Sequence, residues 1–280
     1  MQLGLHLSIE GSIDQAVDRA VMKGCNVMQI FSRNPRGWRA KKLKSTEIQE
    51  FRRRLRVSGV WPVFIHTPYL LNLASPKGDV YDKSVKALGT ELKRADLLGI
   101  PYVVTHLGSH LGHGKHAGFK RVIKGVKDAL FAVKNDVMIL LENTAGTRNS
   151  VGSYFEDIRR ILSGINEEKR AGICFDTSHA FTAGYDLSSS NAVKNTLDRF
   201  DKEIGFSKLK LVHLNDSKGG LGSRIDRHEH IGMGKIGEAG FRHILKSRIG
   251  QYPLVLETPI DERRSDVENL AKVRELLHDN

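Results

Sequence analysis

Imidazole and carboxylate side chains recur in this sequence at the ends of short apolar runs. The residues at these ends are His6, His66, His106, Glu142, Asp176, His213 and Glu257. One histidine in such a place is usually a hydrogen-bonded structural residue, but repetition weakens that explanation for the whole set. Nitrogen and oxygen donors without cysteine suit Zn²⁺ or Mn²⁺ at a hydrolytic centre better than a closed structural zinc site. The set therefore predicts a catalytic metal centre.

Two local pairs add to these candidates. Asp176 and His179 lie three residues apart, as in a first helical turn, and Asp226 and His228 lie two apart, as in an extended segment. The candidates counted as metal ligands are His66, His106, Glu142, Asp176, His179, His213, Asp226, His228 and Glu257. A catalytic ion uses about three protein ligands, so this supply suggests up to three ions. Clustered divalent ions suit phosphoryl chemistry, because they orient a phosphate and neutralise charge on the attacking and leaving oxygens.

Apolar runs rich in β-forming residues alternate with segments of helical periodicity. The predicted strands are Leu3–Ser8, Asn26–Phe31, Pro62–His66, Tyr102–His106, Val137–Glu142, Gly172–Asp176, Lys210–Asn215 and Leu254–Glu257. This rhythm predicts an α/β fold, either a (β/α)8 TIM barrel or a doubly wound sheet. Reactive side chains at nearly every strand end favour the barrel, whose strands direct their carboxyl ends to one site. Only the second strand, ending near Phe31, lacks a candidate ligand.

Length and composition narrow the alternatives. A chain of 280 residues without a Ser/Pro-rich linker predicts one barrel domain over 1–280. The net charge of +12 and the pI near 9.7 favour a polyanionic partner. No apolar run approaches the roughly 18 residues of a membrane helix, and Met1–Ser12 lacks a signal-peptide core, so we expect an intracellular, cytoplasmic protein. Cys25 and Cys174 lie in apolar strand segments and predict no disulfide.

Longer motifs surround these candidate ligands. The most specific are Glu142–Gly146 (ENTAG), Phe175–Ala180 (FDTSHA) and His213–Ser217 (HLNDS). Others are His66–Leu73, Thr105–His110, Gly222–His228 and Leu256–Thr258. In this order, over nearly the whole chain, the motifs resemble those of the endonuclease IV family of apurinic/apyrimidinic endonucleases. The resemblance implies a (β/α)8 barrel with three zinc ions that acts in base excision repair. It also implies cleavage of duplex DNA 5′ to abasic sites, which would leave a 3′-hydroxyl and a 5′-deoxyribose phosphate.

The resemblance also implies a role for each candidate ligand. The implied ligands of the first zinc are His66, His106 and Glu142. Those of the second zinc are Glu142, Asp176, His213 and Glu257, and those of the third are His179, Asp226 and His228. A hydroxide held by the metals would attack the phosphorus, with Glu257 or a neighbouring carboxylate orienting or deprotonating it. Glu142 and Glu257 are therefore the expected catalytic residues, and Mn²⁺ is an alternative ion at one or more positions.

The same family recognises damage by bending DNA, entering the minor groove and turning the sugar into a pocket. The matching DNA-binding positions are Arg36, Tyr69 and Leu70. Arg36 lies in the segment Asn34–Trp38 after the second strand, and a DNA-binding loop there explains the missing metal ligand. The implied partner is double-stranded DNA containing abasic sites. We expect a monomer, because a nuclease that wraps a bent duplex works well alone.

Two other functions are compatible with parts of the pattern. A metal-dependent sugar isomerase uses Glu, Asp and His at the same strand ends of related barrels. The third ligand group and the charge of +12 disfavour it, because a small neutral sugar requires neither. A non-catalytic DNA-damage binder predicts at least one broken ligand position, and the sequence has none among the matched motifs.

Overall fold

The computed structural model describes residues 1–278, so the last two positions of the domain predicted over 1–280 lie outside it. The strands are β1 (Leu3–Leu7), β2 (Val27–Phe31), β3 (Val63–His66), β4 (Tyr102–Thr105), β5 (Met138–Glu142), β6 (Ala171–Asp176), β7 (Leu209–His213), β8 (Asp216–Ser217), β9 (His228–Glu229) and β10 (Leu254–Leu256). The helices are α1 (Gln15–Met22), α2 (Ser45–Ser58), α3 (Gly78–Leu98), α4 (Lys115–Ala132), α5 (Phe155–Ile165), α6 (Thr177–Ala183), α7 (Ser190–Glu203), α8 (Gly237–Lys246) and α9 (Asp266–His278).

Eight of the strands close into a barrel. Their order around it is β1, β10, β7, β6, β5, β4, β3, β2, and every neighbouring pair is parallel. β1 completes the circle by pairing with both β10 and β2, with Leu3 opposite Leu254 and Gly4 opposite Val27. Closure excludes the doubly wound sheet and confirms the predicted TIM barrel. The short strands β8 and β9 form a separate antiparallel pair.

Apolar side chains fill the space on both faces of the strands, as expected for a parallel barrel. The interior holds one ring of buried residues from the middle of the strands: Val27, Phe64, Val104, Leu140, Cys174, Leu211 and Val255. A larger core lies between the strands and the surrounding helices. α3 shows the pattern, since Leu88, Leu92 and Ala95 are fully buried at helical spacing. It ends where Gly99 takes the left-handed conformation with φ of 73°.

The predicted strands are in place, with small differences at their ends. The largest difference is in β7, predicted over Lys210–Asn215 and observed over Leu209–His213. It ends early because the backbone N–H of Asn215 donates to the side chain of Thr177. Cys25 and Cys174 are free and buried. Cys174 lies in β6 as predicted, but Cys25 precedes β2 and is not part of a strand. Within residues 1–278, we find no helix with the length and apolar character needed to span a bilayer.

Candidate metal centre

The carboxyl end of the barrel carries a polar layer directly above the apolar interior. Strand residues alternate between faces, so side chains two positions beyond the inner apolar ring point the same way. This polar layer consists of Gln29, His66, His106, Glu142, Asp176, His213 and Glu257. All of its members except Gln29 are predicted metal ligands. Strand alternation thus brings residues from seven strands to one site, and six of these residues are predicted metal ligands.

Three groups of side chains offer ligand atoms within 4.8 Å of one another. The groups are His66, His106 and Glu142; Glu142, Asp176, His213 and Glu257; and Asp176, His179 and His228. Glu142 Oε2 lies 3.1 Å from His66 Nε2 and 3.4 Å from His106 Nε2. Its Oε1 lies 3.0 Å from His213 Nδ1. Because Glu142 and Asp176 each belong to two groups, the three groups form one continuous centre.

The start of α6 sets the geometry of the third group. Asp176 caps α6, and its Oδ1 accepts a hydrogen bond of 2.7 Å from the backbone N–H of His179. The three-residue spacing therefore places both side chains at the end of β6. Asp226 stands beside this group, with Oδ1 3.1 Å from His179 Nε2. His228 opens β9, and its Nε2 lies 3.7 Å from Asp176 Oδ2. The fold thus gathers all nine predicted ligands.

The hydrogen bonds of the histidines test whether the centre fits a metal. His66 Nδ1 donates to the carbonyl of Thr67 at 2.7 Å, and His179 Nδ1 donates to that of Asn143 at 2.9 Å. His228 Nδ1 likewise lies 3.1 Å from the carbonyl of Glu257, while its buried Nε2 has no hydrogen-bond partner within the described chain. A backbone carbonyl on one ring nitrogen leaves the other as a ligand. This donor set fits zinc.

The charges of the centre attract cations. Burial alone would raise the pKa of Glu142, but His106 and His213 hold it well below its ordinary value. Burial would lower the pKa of His179, yet Asp176 and Asp226 raise it well above the usual range. The pKa of Asp226 falls to about 2, because His179 outweighs the opposing effect of burial. Glu142 and Asp226 are therefore ionised at neutral pH, and in the metal-free protein the carboxylates around His179 favour its protonated form.

Two residues of the centre, Gln29 and His6, were missed or left without a role by the sequence reasoning. Gln29 is buried in the polar layer, so the second strand, which has no candidate metal ligand, nevertheless places a polar side chain there. His6 was noted at a strand end, and its Nδ1 lies 2.8 Å from Glu257 Oε1. The signal for Gln29 was a polar residue inside the apolar run of β2. Gln29 lies two residues before the end of β2, whereas the candidate ligands of the other strands lie at or just beyond the strand ends.

Asp216, also without a sequence assignment, organises the loop that carries His228. This fully buried carboxylate accepts backbone N–H groups of Gly232 and Gly234 through Oδ2 at 3.0 and 2.9 Å. Its Oδ1 accepts that of Ile236 at 3.0 Å. Burial raises the pKa of Asp216 despite these hydrogen bonds. The residue fixes the chain between β9 and α8, and β9 pairs with the strand on which Asp216 lies.

A cavity of about 850 Å³, here called the rim cavity, opens above the metal centre. Arg36 and Tyr69 line it together with metal-centre residues such as His106 and Glu257. The side chain of Tyr69 is 65% exposed, and its ring lies 5.1 Å from that of Phe31. Leu70 follows Tyr69 and is half-buried. The three predicted DNA-binding side chains therefore lie on the loops after β2 and β3, and two of them, Arg36 and Tyr69, line the cavity.

A buried ion pair fixes the loop that contains Arg36. Arg33 Nε lies 2.5 Å from Glu91 Oε1, and both side chains are at most 3% exposed. The guanidinium of Arg33 also donates from Nη1 to the carbonyls of Gly37 and Trp38, at 2.7 and 3.1 Å. Glu91 belongs to α3, so this helix holds the loop through Arg33. The loop is therefore presented in a defined conformation at the edge of the rim cavity.

Replacing Glu91 by glutamine is expected to lower the free energy of unfolding by about 3 kcal/mol, because it leaves the guanidinium of Arg33 buried without its counter-charge. Urea denaturation of the two proteins measures the change. Asp82→Asn is the matched control, since Asp82 is an exposed carboxylate on the same helix. It should alter stability by less than about 0.5 kcal/mol. Equal losses in the two variants would contradict a special role for the buried pair.

Comparison with known proteins identifies relatives of this chain over nearly its whole length. The family described as xylose isomerase-like TIM barrel matches residues 17–278. The probable endonuclease 4 of Methanoculleus marisnigri is 55% identical over 276 residues, covering 98% of each chain. That of Nitrosopumilus maritimus is 52% identical over 278 residues, covering 98% of this chain and 99% of the relative.

A solved structure from the same family has the same fold as this chain. The crystal structure of endonuclease IV from Thermus thermophilus superimposes with a TM-score of 0.86 at 38% identity. The match covers 99% of this chain and 97% of that one. Both the full-length identity and the shared barrel support the family suggested by the sequence motifs. The chain belongs to the endonuclease IV family, within the xylose isomerase-like TIM barrels.

Proposed function

We propose that this protein is a DNA-repair endonuclease that hydrolyses the phosphodiester bond 5′ to abasic sites in duplex DNA. The products are a 3′-hydroxyl and a 5′-deoxyribose phosphate, as required in base excision repair. The observation that carries the proposal is the overlap of three imidazole–carboxylate groups, joined through Glu142 and Asp176, beneath the rim cavity. Adjacent cations suit phosphodiester hydrolysis, because charge develops on both the attacking and the leaving oxygen. The family of the chain supports the same reaction.

Three zinc ions are the proposed cofactors. The first is assigned to His66, His106 and Glu142, the second to Glu142, Asp176, His213 and Glu257, and the third to His179, Asp226 and His228. Zinc bound there supplies Lewis acidity toward phosphate oxygens and lowers the pKa of water. Mn²⁺ is the alternative ion at one or more positions, since every donor is nitrogen or oxygen. One chain supplies every ligand, so we propose a monomer as the active unit.

Glu142 and Glu257 are the proposed catalytic carboxylates. Glu257 Oε1 accepts hydrogen bonds from His6 Nδ1 at 2.8 Å and from Gln29 Nε2 at 2.7 Å. Its Oε2 instead faces the second group, 3.4 Å from His213 Nδ1. Oε2 is therefore placed to orient the attacking water and accept its proton. Glu142 is fully buried between the first two groups, where its negative charge acts on both.

Arg36, Tyr69 and Leu70 are proposed to contact the damaged duplex. All three lie on the loops after β2 and β3, and Arg36 and Tyr69 line the rim cavity. A largely exposed tyrosine and a leucine beside it can enter a minor groove where a base is missing. Arg36 adds a positive charge next to them. The net charge of +12 favours binding to the phosphate backbone along the rest of the duplex.

Tyr69→Ala is expected to reduce the preference for abasic over intact duplex by about tenfold or more, because one aromatic stacking contact contributes roughly 1–3 kcal/mol. Affinity for intact DNA should change much less, since phosphate contacts dominate it. Leu70→Ala should act in the same direction. Fluorescence anisotropy with matched abasic and intact duplexes, at one salt concentration, gives the ratio of the two Kd values.

The control for this measurement is Trp61→Ala. Trp61 is also an exposed aromatic residue, but it precedes β3 and so lies at the opposite end of the barrel. Its removal should leave the ratio of Kd values unchanged. A Tyr69 variant that loses the same affinity for both duplexes would contradict the proposed contact with the abasic site.

Incision of a defined substrate tests the whole proposal. The purified protein is incubated with a labelled duplex containing one tetrahydrofuran analogue of an abasic site, which resists β-elimination. A nick 5′ to the analogue with a 3′-hydroxyl end, lost after zinc chelation, supports metal-dependent hydrolysis. Intact substrate in the presence of a fully metal-loaded protein would overturn the proposal. The sugar isomerase and the non-catalytic binder would then be tested with aldoses and with DNA-binding assays.

A further inference from the structure

Gln29 occupies the position in the polar layer that corresponds to a metal ligand in other strands. In β2 it lies two residues beyond Val27, just as His66 lies two beyond Phe64 in β3. Its amide side chain is fully buried. An amide in a barrel interior is costly unless its polar atoms are hydrogen-bonded. The partners of Gln29 therefore indicate why a polar residue is present in the middle of an apolar strand.

Both ends of the Gln29 amide contact ligands of the second group. Gln29 Nε2 donates to Glu257 Oε1 at 2.7 Å, and it lies 3.0 Å from His6 Nδ1. Gln29 Oε1 lies 2.9 Å from His213 Nε2. One side chain thus connects a carboxylate and an imidazole that come from two different strands. Both of those residues are proposed ligands of the same ion.

The hydrogen-bonding capacities of these groups fix the orientation of the amide. An ionised carboxylate only accepts hydrogen bonds, so the amide NH₂ must face Glu257 and the amide oxygen must face His213. That oxygen can only accept, so His213 must carry its proton on Nε2. When His213 is neutral, as metal binding requires, its lone pair is then on Nδ1. This nitrogen lies 3.0 Å from Glu142 Oε1 and 3.4 Å from Glu257 Oε2, within the second group.

His213 thereby differs from His66, His179 and His228. In His66 and His179, a backbone carbonyl accepts from Nδ1, which leaves Nε2 for the metal. In His213 the arrangement is reversed, and the acceptor is a side chain from another strand. A backbone carbonyl is present whatever the sequence. The orientation of His213 instead depends on the residue at position 29.

We propose that Gln29 is a positioning residue of the second metal position, where it holds His213 in the tautomer that binds through Nδ1 and keeps Glu257 Oε2 turned toward the ion. The inference rests on the proposed metal function. Its effect is local, since Gln29 contacts ligands of the second group. Loss of the amide is expected to weaken binding of one ion by roughly tenfold to a hundredfold, the usual range for a partner of a metal ligand.

Zinc binding by Gln29→Met tests the proposal. Methionine keeps the length and approximate volume of the side chain but lacks both hydrogen-bonding ends. Each protein is dialysed against a series of free zinc concentrations fixed by a competing chelator, and bound zinc per chain is measured by mass spectrometry. The variant is expected to lose one ion at a free zinc concentration at which the parent protein keeps its full content. The remaining ions should be released at unchanged zinc concentrations.

Met28→Leu is the matched control. Met28 is the neighbouring residue of β2 and equally buried, but its side chain packs in the core between strands and helices. Its zinc titration should coincide with that of the parent protein. Circular dichroism and thermal melting of the metal-free proteins establish that each variant is folded before zinc is added. A shared loss of zinc in both variants would show general disruption of the barrel and would overturn the assignment to Gln29.

A second measurement uses the unmodified protein and does not depend on folding of a variant. Nitrogen-15 NMR of histidine-labelled, zinc-loaded protein distinguishes a ring bound through Nδ1 from one bound through Nε2. One ligand histidine, His213, is expected to bind through Nδ1 with its proton on Nε2. Binding of every ligand histidine through Nε2 would overturn the inference, as would an unchanged zinc titration of Gln29→Met. A parent protein that binds no zinc would overturn the proposed metal function itself, which separates the two failures.

Discussion

Glu257→Gln is expected to lower the rate of abasic-site cleavage by at least about a thousandfold, since the carboxylate both contributes charge to the second group and is the proposed acceptor of a proton. Glutamine has nearly the same shape, so the rim cavity should keep its form. Affinity for abasic duplex should therefore fall by no more than about threefold, because phosphate contacts and the Tyr69 side of the cavity are untouched. Single-turnover cleavage and anisotropy titrations measure the two quantities separately.

The same change of charge at Glu262 is the control. Glu262 lies on the same loop after β10 but is exposed, so Glu262→Gln should cleave at the rate of the parent protein. Near-normal cleavage by Glu257→Gln would remove Glu257 from the mechanism and place the proton acceptor elsewhere. A large loss of DNA affinity in that variant would show that Glu257 helps shape the binding surface.

The fold and most of the metal centre could be predicted because both depend on local features of the sequence. Each barrel strand is a short apolar run, and each run ends close to a polar residue that the parallel arrangement sends to one site. The pair Asp176 and His179 was interpretable for the same reason, since a helix cap relates residues three apart. The motifs that suggested the family include these positions. Neither the strands nor the proposed ligands required knowledge of distant contacts.

The roles of Gln29 and His6 depend on contacts that the sequence does not reveal. Gln29 and Glu257 are 228 positions apart, and they meet because β1 closes the barrel between β2 and β10. The pairing of Arg33 with Glu91 also joins a loop to a helix 58 positions later. A buried glutamine in an apolar strand signals a polar partner, but only the closed barrel identifies that partner. The proposed positioning residues were therefore harder to predict than the proposed ligands.

Removal of the metals is expected to abolish cleavage and to lower the Tm by about 10 °C. Ligand binding at a thousand times its Kd stabilises a protein by about 4 kcal/mol, and roughly 2–4 °C are lost per kcal/mol in a protein of this size. The proposed cause is the loss of cations from between Glu142, Asp176 and Glu257, which then rely on imidazoles for counter-charge. Differential scanning calorimetry with and without a chelator measures the shift. Re-addition of zinc should restore both Tm and cleavage.

The size of this shift should depend on pH. In the metal-free protein burial lowers the pKa of His179, but Asp176 and Asp226 raise it well above 6.5. The pKa of His213 is also raised well above 6.5, because Cys174, Glu257 and Glu142 together outweigh burial. Protonated imidazoles of raised pKa stabilise the folded state fully below the unfolded value near 6.5, and this contribution is lost as pH rises through the folded pKa. Zinc instead requires neutral imidazoles. Chelation should therefore lower the Tm more at pH 8.5 than at pH 6. A decrease in Tm on chelation that is the same at both pH values would contradict the proposal that protons replace the metal ions on these imidazoles.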